Sequence, residues 1–149
     1  MYKILDDKHP FLRVKTKLVK FITDDIKDIC KNMQETMLEA EGLGLAANQV
    51  GIDACIIVLE LDNFKGAMIN PRILKKSDKI YHLEEGCLSI PGINVDTNNR
   101  AKDIKVEFTD TEGVVKKLKF KGLDAVVIQH EIDHLLGILM TDYLGENND

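Results

Sequence analysis

The run His130-Glu131-Ile132-Asp133-His134 (H-E-x-x-H) constrains this chain more than any other feature of its sequence. Apolar residues recur at helical spacing through positions 123–138, and both histidines fall on the apolar face. Two imidazoles four residues apart can reach one cation, and Glu131, about 100° around the helix axis, can serve as a proton shuttle without being a ligand. The alternative is a pair of polar residues on a helix face, but burying them without partners would be costly. The pattern therefore predicts a helix that carries a metal site.

A catalytic metal also needs a third protein ligand and an open position for water. One protease pattern continues as H-E-x-x-H-x-x-G-x-x-H and takes its third ligand from the last histidine. Here Gly137 matches the glycine of that pattern, but Met140 stands in place of the last histidine. Another pattern takes a downstream glutamate, and Glu146 is the sole glutamate among the 15 residues after His134. The third ligand is therefore sought upstream, where the candidates are His9, His82, Cys30, Cys55 and Cys87.

Cys87 is the best of these candidates. It follows Gly86, which permits close backbone approach, and Pro91 soon ends the run. Cys30 and Cys55 lie within apolar patterns and are interpreted as core residues, and an odd count of three cysteines argues against a disulfide framework. Taken alone, Cys87 fits a third core thiol equally well; beside an H-E-x-x-H without a downstream ligand, ligation is favoured. His82 remains the alternative ligand.

The length of 149 residues fits one ordinary domain, which we expect to span residues 1–149. No apolar run is long enough to cross a bilayer, and acidic residues near the N-terminus stand where a secretory signal needs an apolar stretch. We therefore expect a cytoplasmic protein without a membrane partner. The formal net charge of −5 argues against a nucleic-acid partner, and the lysines between 116 and 121 are interpreted as one solvated strand face.

The order of the elements predicts the α+β class. Thr23 followed by two acidic residues favours a helix start, and apolar residues recur at helical spacing from Ile26 to Ala40. Strands are expected between this helix and the H-E-x-x-H helix, the last two forming a hairpin, at positions 54–59, 67–70, 80–84, 104–108 and 114–120. We expect small antiparallel or mixed sheets packed around a central C-terminal helix.

Three segments together resemble the peptide deformylase family. GLGLAANQ at 42–49 is similar to its first motif, EGCLS at 85–89 to its second, and QHEIDH at 129–134 to its third, in the same order and with similar spacing. Similarity at 10–13 and 142–144 extends the resemblance over nearly the whole chain. H-E-x-x-H alone is ambiguous, but the three motifs together are highly specific.

The resemblance implies that the chain removes the formyl group from N-formylmethionine at the start of new proteins. It also implies that Cys87, His130 and His134 bind the metal and that Glu131 acts as general base and then as general acid. The family usually carries ferrous iron, and zinc, nickel or cobalt is expected as an alternative in a purified sample, since thiolate and imidazole ligands suit each of them.

The resemblance extends to residues that would contact the substrate. Gln49, through its side-chain amide, and Leu88, through its backbone N–H, would stabilise the developing oxyanion. From its position alone, Gln49 would be only a hydrogen-bond partner at the end of a loop. The apolar pocket and the backbone groups that pair with the peptide would come from Leu43, Gly44, Leu83, Gly86, Leu123, Val126 and Val127. The apolar members of this set would otherwise be assigned to the core.

The implied partner is a formylmethionyl peptide or nascent chain, and we expect a monomer. Only five residues follow the segment 142–144, so we expect the chain to lack the C-terminal helix of many bacterial members, which would count against ribosome docking. The stretch 92–99 is unusually polar and a residue longer than the common bacterial form, so contacts beyond methionine are expected to differ.

Two other functions fit part of the sequence. A metallopeptidase that cleaves ordinary peptide bonds shares the helix motif but lacks its usual third ligand here. A metal-stabilised binding module without catalysis leaves Glu131 unexplained, because a closed structural site has no use for a base beside the metal.

Overall fold

The computed structural model describes residues 1–147, with side chains described up to residue 144. No helix in this part of the chain is both long and apolar enough to cross a bilayer. Short 3₁₀ turns lie at Pro10–Arg13 and Ala47–Val50. In chain order the elements are α1 (Asp24–Glu39), β1 (Gly44–Ala46), β2 (Ile56–Glu60), β3 (Lys65–Lys76), β4 (Glu85–Cys87), β5 (Ile90–Val95), β6 (Asp103–Thr109), β7 (Val115–Lys121), α2 (Leu123–Leu135) and α3 (Asp142–Asn147).

The main sheet separates two hydrophobic cores. Its five strands run antiparallel in the order β1-β2-β3-β6-β7, and β4 pairs with β5 in a second, two-stranded sheet. In β2, Ile57 and Leu59 belong to the core beneath α2, whereas Ile56 and Val58 belong to the core beneath α1. Burial on both faces explains why β2 is a continuous apolar run. The α+β class is confirmed, with α2 packed against the main sheet.

Local signals set the limits of both long helices. The Thr23 hydroxyl accepts a hydrogen bond from the Ile26 N–H at 3.2 Å, so the predicted start of α1 is confirmed. After α2, Gly137 has a φ of 77°, a left-handed conformation that favours glycine. A Cβ at Gly137 would lie 2.7 Å from the carbonyl oxygen of Arg13. The helix that carries H-E-x-x-H therefore ends where the N-terminal segment crosses it.

The predicted strand at 80–84 is wrong. Only Ile80 pairs in that stretch, through an isolated bridge to Ala101, and the ladder of β4 begins at Glu85. The Tyr81 N–H donates to the carbonyl oxygen of Arg100 at 2.8 Å. The chain is thus tied at one point before it enters β4.

The strand expected at 67–70 extends further than predicted, through Pro71 to Lys76. The register between β3 and β6 shifts after Ile69, and Asn70 has a φ of 54°. Such a bulge accommodates a proline, which has no N–H to donate to the ladder.

The hairpin of β6 and β7 is confirmed. On β7 only Phe120 is buried, and Lys116 and Lys117 form ion pairs with carboxylates of the same hairpin. The lysine-rich segment is thus a solvent-facing edge strand, as the sequence indicates, and lysines on such an edge discourage pairing with another chain.

Candidate active site

Helix α2 and strand β4 bring the three predicted ligands together. One ligand atom from each of Cys87, His130 and His134 lies within 4.8 Å of the others. The Cys87 Sγ lies 3.4 Å from the His134 Nε2, and the two imidazole centroids are 4.9 Å apart. Both histidines are buried, whereas Cys87 is partly exposed. One sulfur and two nitrogens form a donor set that suits zinc or ferrous iron and leaves a fourth position open.

The other candidate ligands lie elsewhere. His82 is exposed and lies within hydrogen-bond distance of Asp96, outside the cluster, and His9 accepts a hydrogen bond at the start of the first 3₁₀ turn. Cys30 and Cys55 are buried in the core beneath α1 and the core beneath α2, respectively. Burial raises the pKa of Cys30 to about 11 and also raises that of Cys55, so both thiols stay protonated and unreactive. The side chain of Glu146 lies outside the described residues.

Glu131 lies beside the cluster with one oxygen unpaired. Its Oε2 is 4.0 Å from the His130 Nε2, and its buried Oε1 has no hydrogen-bond partner among the described atoms. Burial raises the pKa of Glu131 to about 7, although the charge of His130 opposes that shift. A Cβ at Gly44 would lie 2.7 Å from the Glu131 Oε2, so the glycine leaves room for this carboxylate. A buried, unpaired carboxylate oxygen fits a site that takes up water or substrate.

A network of buried charges holds His130 in place. The His130 Nδ1 is 2.8 Å from the Glu85 Oε1, which leaves Nε2 facing the cluster. Arg100 donates to both oxygens of Glu85, at 2.8 and 3.0 Å, and to Asp133 at 2.6 Å. The Tyr143 hydroxyl also donates to Asp133, at 2.8 Å. This arrangement fixes the tautomer and ring orientation of His130, as carboxylate partners do for metal-binding histidines.

Sequence reasoning missed this network. Glu85 lies two residues before Cys87 in the same motif. Carboxylates are rarely buried without a partner, but the sequence does not show that Glu85 is buried, so it could not be identified as a partner of His130. Arg100 and Asp133 gave no signal, because their pairing joins the segment between β5 and β6 to α2 and does not follow from local spacing.

The charges around the two imidazoles favour a cation between them. Burial alone would lower the pKa of His130, but Glu131, Cys87 and Glu85 together raise it to about 10. Burial and the charge of His130 hold the pKa of His134 well below its usual range, so that ring is neutral, as a ligand must be. The cluster thus attracts one positive charge, and its donor atoms fit a divalent metal ion.

Gln49 is fixed next to the cluster by the second 3₁₀ turn. Its Oε1 accepts from the Ala46 N–H at 2.9 Å, and its Nε2 donates to the Ser89 hydroxyl at 3.1 Å. The same Nε2 lies 3.8 Å from the Cys87 Sγ. Two of its hydrogen bonds thus aim the amide nitrogen toward the predicted metal ligands.

A cleft of about 410 Å³ opens beside the cluster. Glu131 and Leu88 both line it. Val126 is only 1% exposed and lies deep in the cleft, whereas Leu43 and Leu123 are 47% and 42% exposed and mark its mouth. The structure places all seven residues predicted for the peptide pocket on its lining: Leu43, Gly44, Leu83, Gly86, Leu123, Val126 and Val127. Gln49 is not among the lining residues.

Comparison with solved structures finds the same fold in bacterial and phage proteins. A peptide deformylase from Thermotoga maritima matches with a TM-score of 0.91 and 40% identity, over 95% of this chain and 96% of that one. A deformylase from the Vibrio parahaemolyticus bacteriophage VP16T, in complex with actinonin, matches with a TM-score of 0.87 and 42% identity, over 92% of this chain and 98% of that one.

Comparison of sequences agrees. A peptide deformylase of Dictyoglomus turgidum is 44% identical over 139 residues, which are 93% of this chain and 90% of the relative. The family model described as polypeptide deformylase matches residues 1–149. By its three motifs, its fold and these matches, the chain belongs to the polypeptide deformylase family.

Proposed function

We propose that this chain removes the N-formyl group from formylmethionyl peptides of nascent proteins and releases formate, with Cys87, His130 and His134 holding one divalent metal ion. The observation that carries the proposal is the convergence of three ligand atoms within 4.8 Å beside a buried carboxylate, that of Glu131, with an unpaired oxygen. Membership in the deformylase family supports the reaction, which is hydrolysis of a linear amide.

A divalent ion on this donor set would supply Lewis acidity, lowering the pKa of water and polarising the formyl carbonyl. We propose Fe(II) as the native ion, because a thiolate with two imidazoles suits it; zinc, nickel and cobalt fit the same donors. The protein's part is to hold the ligands in their binding state. Glu85 orients His130, and burial keeps His134 neutral.

Glu131 is the proposed proton shuttle. Its carboxylate takes a proton from the attacking water and delivers it to the nitrogen of the leaving methionine. The unpaired Oε1 leaves one oxygen available for this exchange, and the space left by Gly44 keeps the carboxylate close to the cluster.

Gln49 and Leu88 are the proposed donors to the oxyanion. The Gln49 Nε2 lies beside the Cys87 Sγ. Leu88 directly follows Cys87 in the chain and lines the cleft. Donors fixed before the reaction stabilise charge that appears only in the transition state. The hydrogen bonds of Gln49 to Ala46 and Ser89 provide that fixation.

The cleft is the proposed binding site for the peptide. Leu83, Val126 and Val127 would surround the methionine side chain, with Leu43 and Leu123 at the mouth. The backbone of Gly44 in β1 and of Gly86 in β4 would pair with the extended peptide as an added strand does. Apolar walls with a few fixed polar groups are typical of such sites.

We propose that the protein works as a cytoplasmic monomer. The cytoplasm is where this substrate arises. The net charge of −5 argues against a nucleic-acid partner. The lysines on the edge strand β7 argue against pairing with a second copy through that edge.

Formate release from a formylmethionyl peptide, measured beside cleavage of its unformylated counterpart, tests the proposal. We expect formate release only. Glu131→Ala should keep the metal, and its turnover should fall by about 10²-fold to 10⁴-fold, because the role of Glu131 is proton transfer. Loss of metal from that variant, seen by elemental analysis, would count against the assignment. Cleavage of the unformylated peptide would indicate a metallopeptidase, and bound metal without either activity a binding module.

A further inference from the structure

The two imidazoles of the cluster differ in what holds them. His130 has Glu85 beside its Nδ1, at 2.8 Å. The Nδ1 of His134 is buried and has no hydrogen-bond partner among the described atoms. A histidine that binds a metal through one ring nitrogen almost always donates its other N–H to a fixed acceptor, which sets the tautomer and the orientation of the ring. We therefore expect an acceptor close to the His134 Nδ1.

The Nδ1 of His134 carries a proton when this ring binds a metal. The Nε2 of the same ring faces the cluster, 3.4 Å from the Cys87 Sγ, so a metal held there takes the lone pair of Nε2. A neutral imidazole has only one N–H, which must then lie on Nδ1. Leaving a buried N–H without an acceptor is costly, so a neighbouring side chain with a free oxygen becomes significant.

Asn48 provides such an oxygen. Its side chain is fully buried, and its Nδ2 donates to the carbonyl oxygen of His134 and, at 3.2 Å, to that of Val14. Carbonyl oxygens only accept hydrogen bonds, so the amide nitrogen of Asn48 must face them and its Oδ1 must point elsewhere. That Oδ1 is buried and has no partner among the described atoms. A donor without an acceptor and an acceptor without a donor thus occur on two residues that already touch.

We infer that Asn48 is the positioning residue for His134. Its Oδ1 accepts from the His134 Nδ1–H, directly or through one buried water, and so fixes this ring as Glu85 fixes the ring of His130. The inference rests on the proposed metal site and adds a partner to it. Asn48 directly precedes Gln49 in the second 3₁₀ turn, so one short turn would carry both a partner of a metal ligand and a donor to the oxyanion.

Two substitutions separate the acceptor of the Asn48 amide from its donor. Asn48→Asp keeps an acceptor oxygen and loses the amide nitrogen, whereas Asn48→Leu removes both and keeps a similar size. Release of Zn(II) from the loaded protein to an excess of chelator measures how firmly the site holds its metal. We expect Asn48→Leu to release Zn(II) about 10-fold to 100-fold faster than the unaltered protein, and Asn48→Asp to release it more slowly than Asn48→Leu.

The matched control is Asn70→Leu, which also removes a side-chain amide that holds a distant segment. Asn70 donates to the carbonyl oxygen of Val19 and accepts from the Val19 N–H, both at 2.8 Å and away from the cluster. This variant should lower the melting temperature and leave the release of Zn(II) unchanged. Equal release by the two Asn48 variants would show that only the donor of the amide matters, and would overturn the inference. So would a normal release rate in Asn48→Leu.

Nuclear magnetic resonance gives a second readout that does not depend on metal release. Proton–nitrogen correlation spectra of the Zn(II)-loaded protein identify which ring nitrogen of His134 carries the proton. We expect that proton on Nδ1, and we expect its resonance to shift in Asn48→Leu, because the acceptor is lost, but not in Asn70→Leu. A resonance that stays in place in Asn48→Leu would contradict the inference.

The outcomes distinguish this inference from the proposed function. Normal formate release and one bound Zn(II), with metal release in Asn48→Leu as slow as in the unaltered protein, would refute the inference and leave the reaction in place. Faster metal release in Asn48→Leu, without formate release by the unaltered protein, would keep the inference and exclude the reaction. An unaltered protein that binds no Zn(II) would overturn both.

Discussion

Cys87 differs from the other two cysteines in its surroundings rather than in its chemistry. It lies against two imidazoles, whereas Cys30 packs against the methionines of α1 in the core. Cys87→Ala should therefore deplete the bound metal, because two imidazoles alone hold a cation weakly. Cys30→Ala, the matched control, should keep a full complement when both are analysed for metal content. A full complement in Cys87→Ala would mean that the third ligand lies outside the cluster.

The Gln49 amide can be tested by removing its donor. Gln49→Leu should lower kcat by about 100-fold with little change in metal content or KM, the pattern expected when one oxyanion donor is lost. The melting temperature must be compared as well, since the side chain also accepts from the Ala46 N–H. An unchanged kcat would exclude Gln49 from the reaction.

Gly44 in β1 offers a test of the position of the Glu131 carboxylate. A methyl group at Gly44 would lie 2.7 Å from the Glu131 Oε2, so Gly44→Ala must push that carboxylate aside or shift the strand. We expect kcat to fall by about tenfold or more, because small misplacements of a catalytic group are costly. Metal content should stay normal, since the three atoms nearest to the added methyl group all belong to Glu131, which is not a predicted ligand. Full activity would show that Glu131 has more freedom than the structure indicates.

Two elements far apart in the chain are joined by an ion pair between the first 3₁₀ turn and α3. Arg13 donates to both oxygens of Asp142, at 2.7 and 3.0 Å, and holds the pKa of Asp142 below its usual value. A carboxylate whose pKa is lower in the folded state stabilises the fold above its unfolded pKa, about 4, and loses that effect as the pH falls through the folded pKa.

Asp142→Asn should therefore lower the free energy of unfolding at pH 7 by at most about 1 kcal/mol, since the pair is partly exposed. The difference from the unaltered protein should disappear in acid, below the folded pKa of Asp142. Denaturant titrations at several pH values measure it. Arg13→Gln should give a similar loss, and a constant difference at every pH would rule out the ion pair as its cause.

Elements with local signals were predictable, and those that depend on distant pairing were not. The start of α1 at Thr23 and the alternation in β6 follow from spacing that the sequence displays. The strand expected at 80–84 failed because only Ile80 finds a partner. The spacing of the two histidines predicted their shared face, but the ion pair of Glu85 with Arg100 joins segments whose contact no local pattern reveals.

Charge is unevenly distributed over the molecule as a whole. The chain carries a net charge of −5, yet lysines dominate the edge strand β7 while carboxylates dominate the mouth of the cleft. Unequal local charge of this kind produces different local potentials, which act differently on a charged group that approaches each place. The net charge argues against a nucleic-acid partner, but it does not describe this uneven distribution of charge.

The buried pairing of Glu85 with Arg100 also restricts how sequences of this kind can diverge. Replacing Arg100 leaves the buried Glu85 with His130 alone, and replacing Glu85 leaves the buried Arg100 with Asp133 as its remaining carboxylate. Either loss should cost up to about 3–5 kcal/mol, a large share of what an ordinary domain can lose. Both side chains are about 4% exposed, so solvent cannot compensate. Drift at one position must therefore be accompanied by a change at the other, and the two should covary among descendants of this chain.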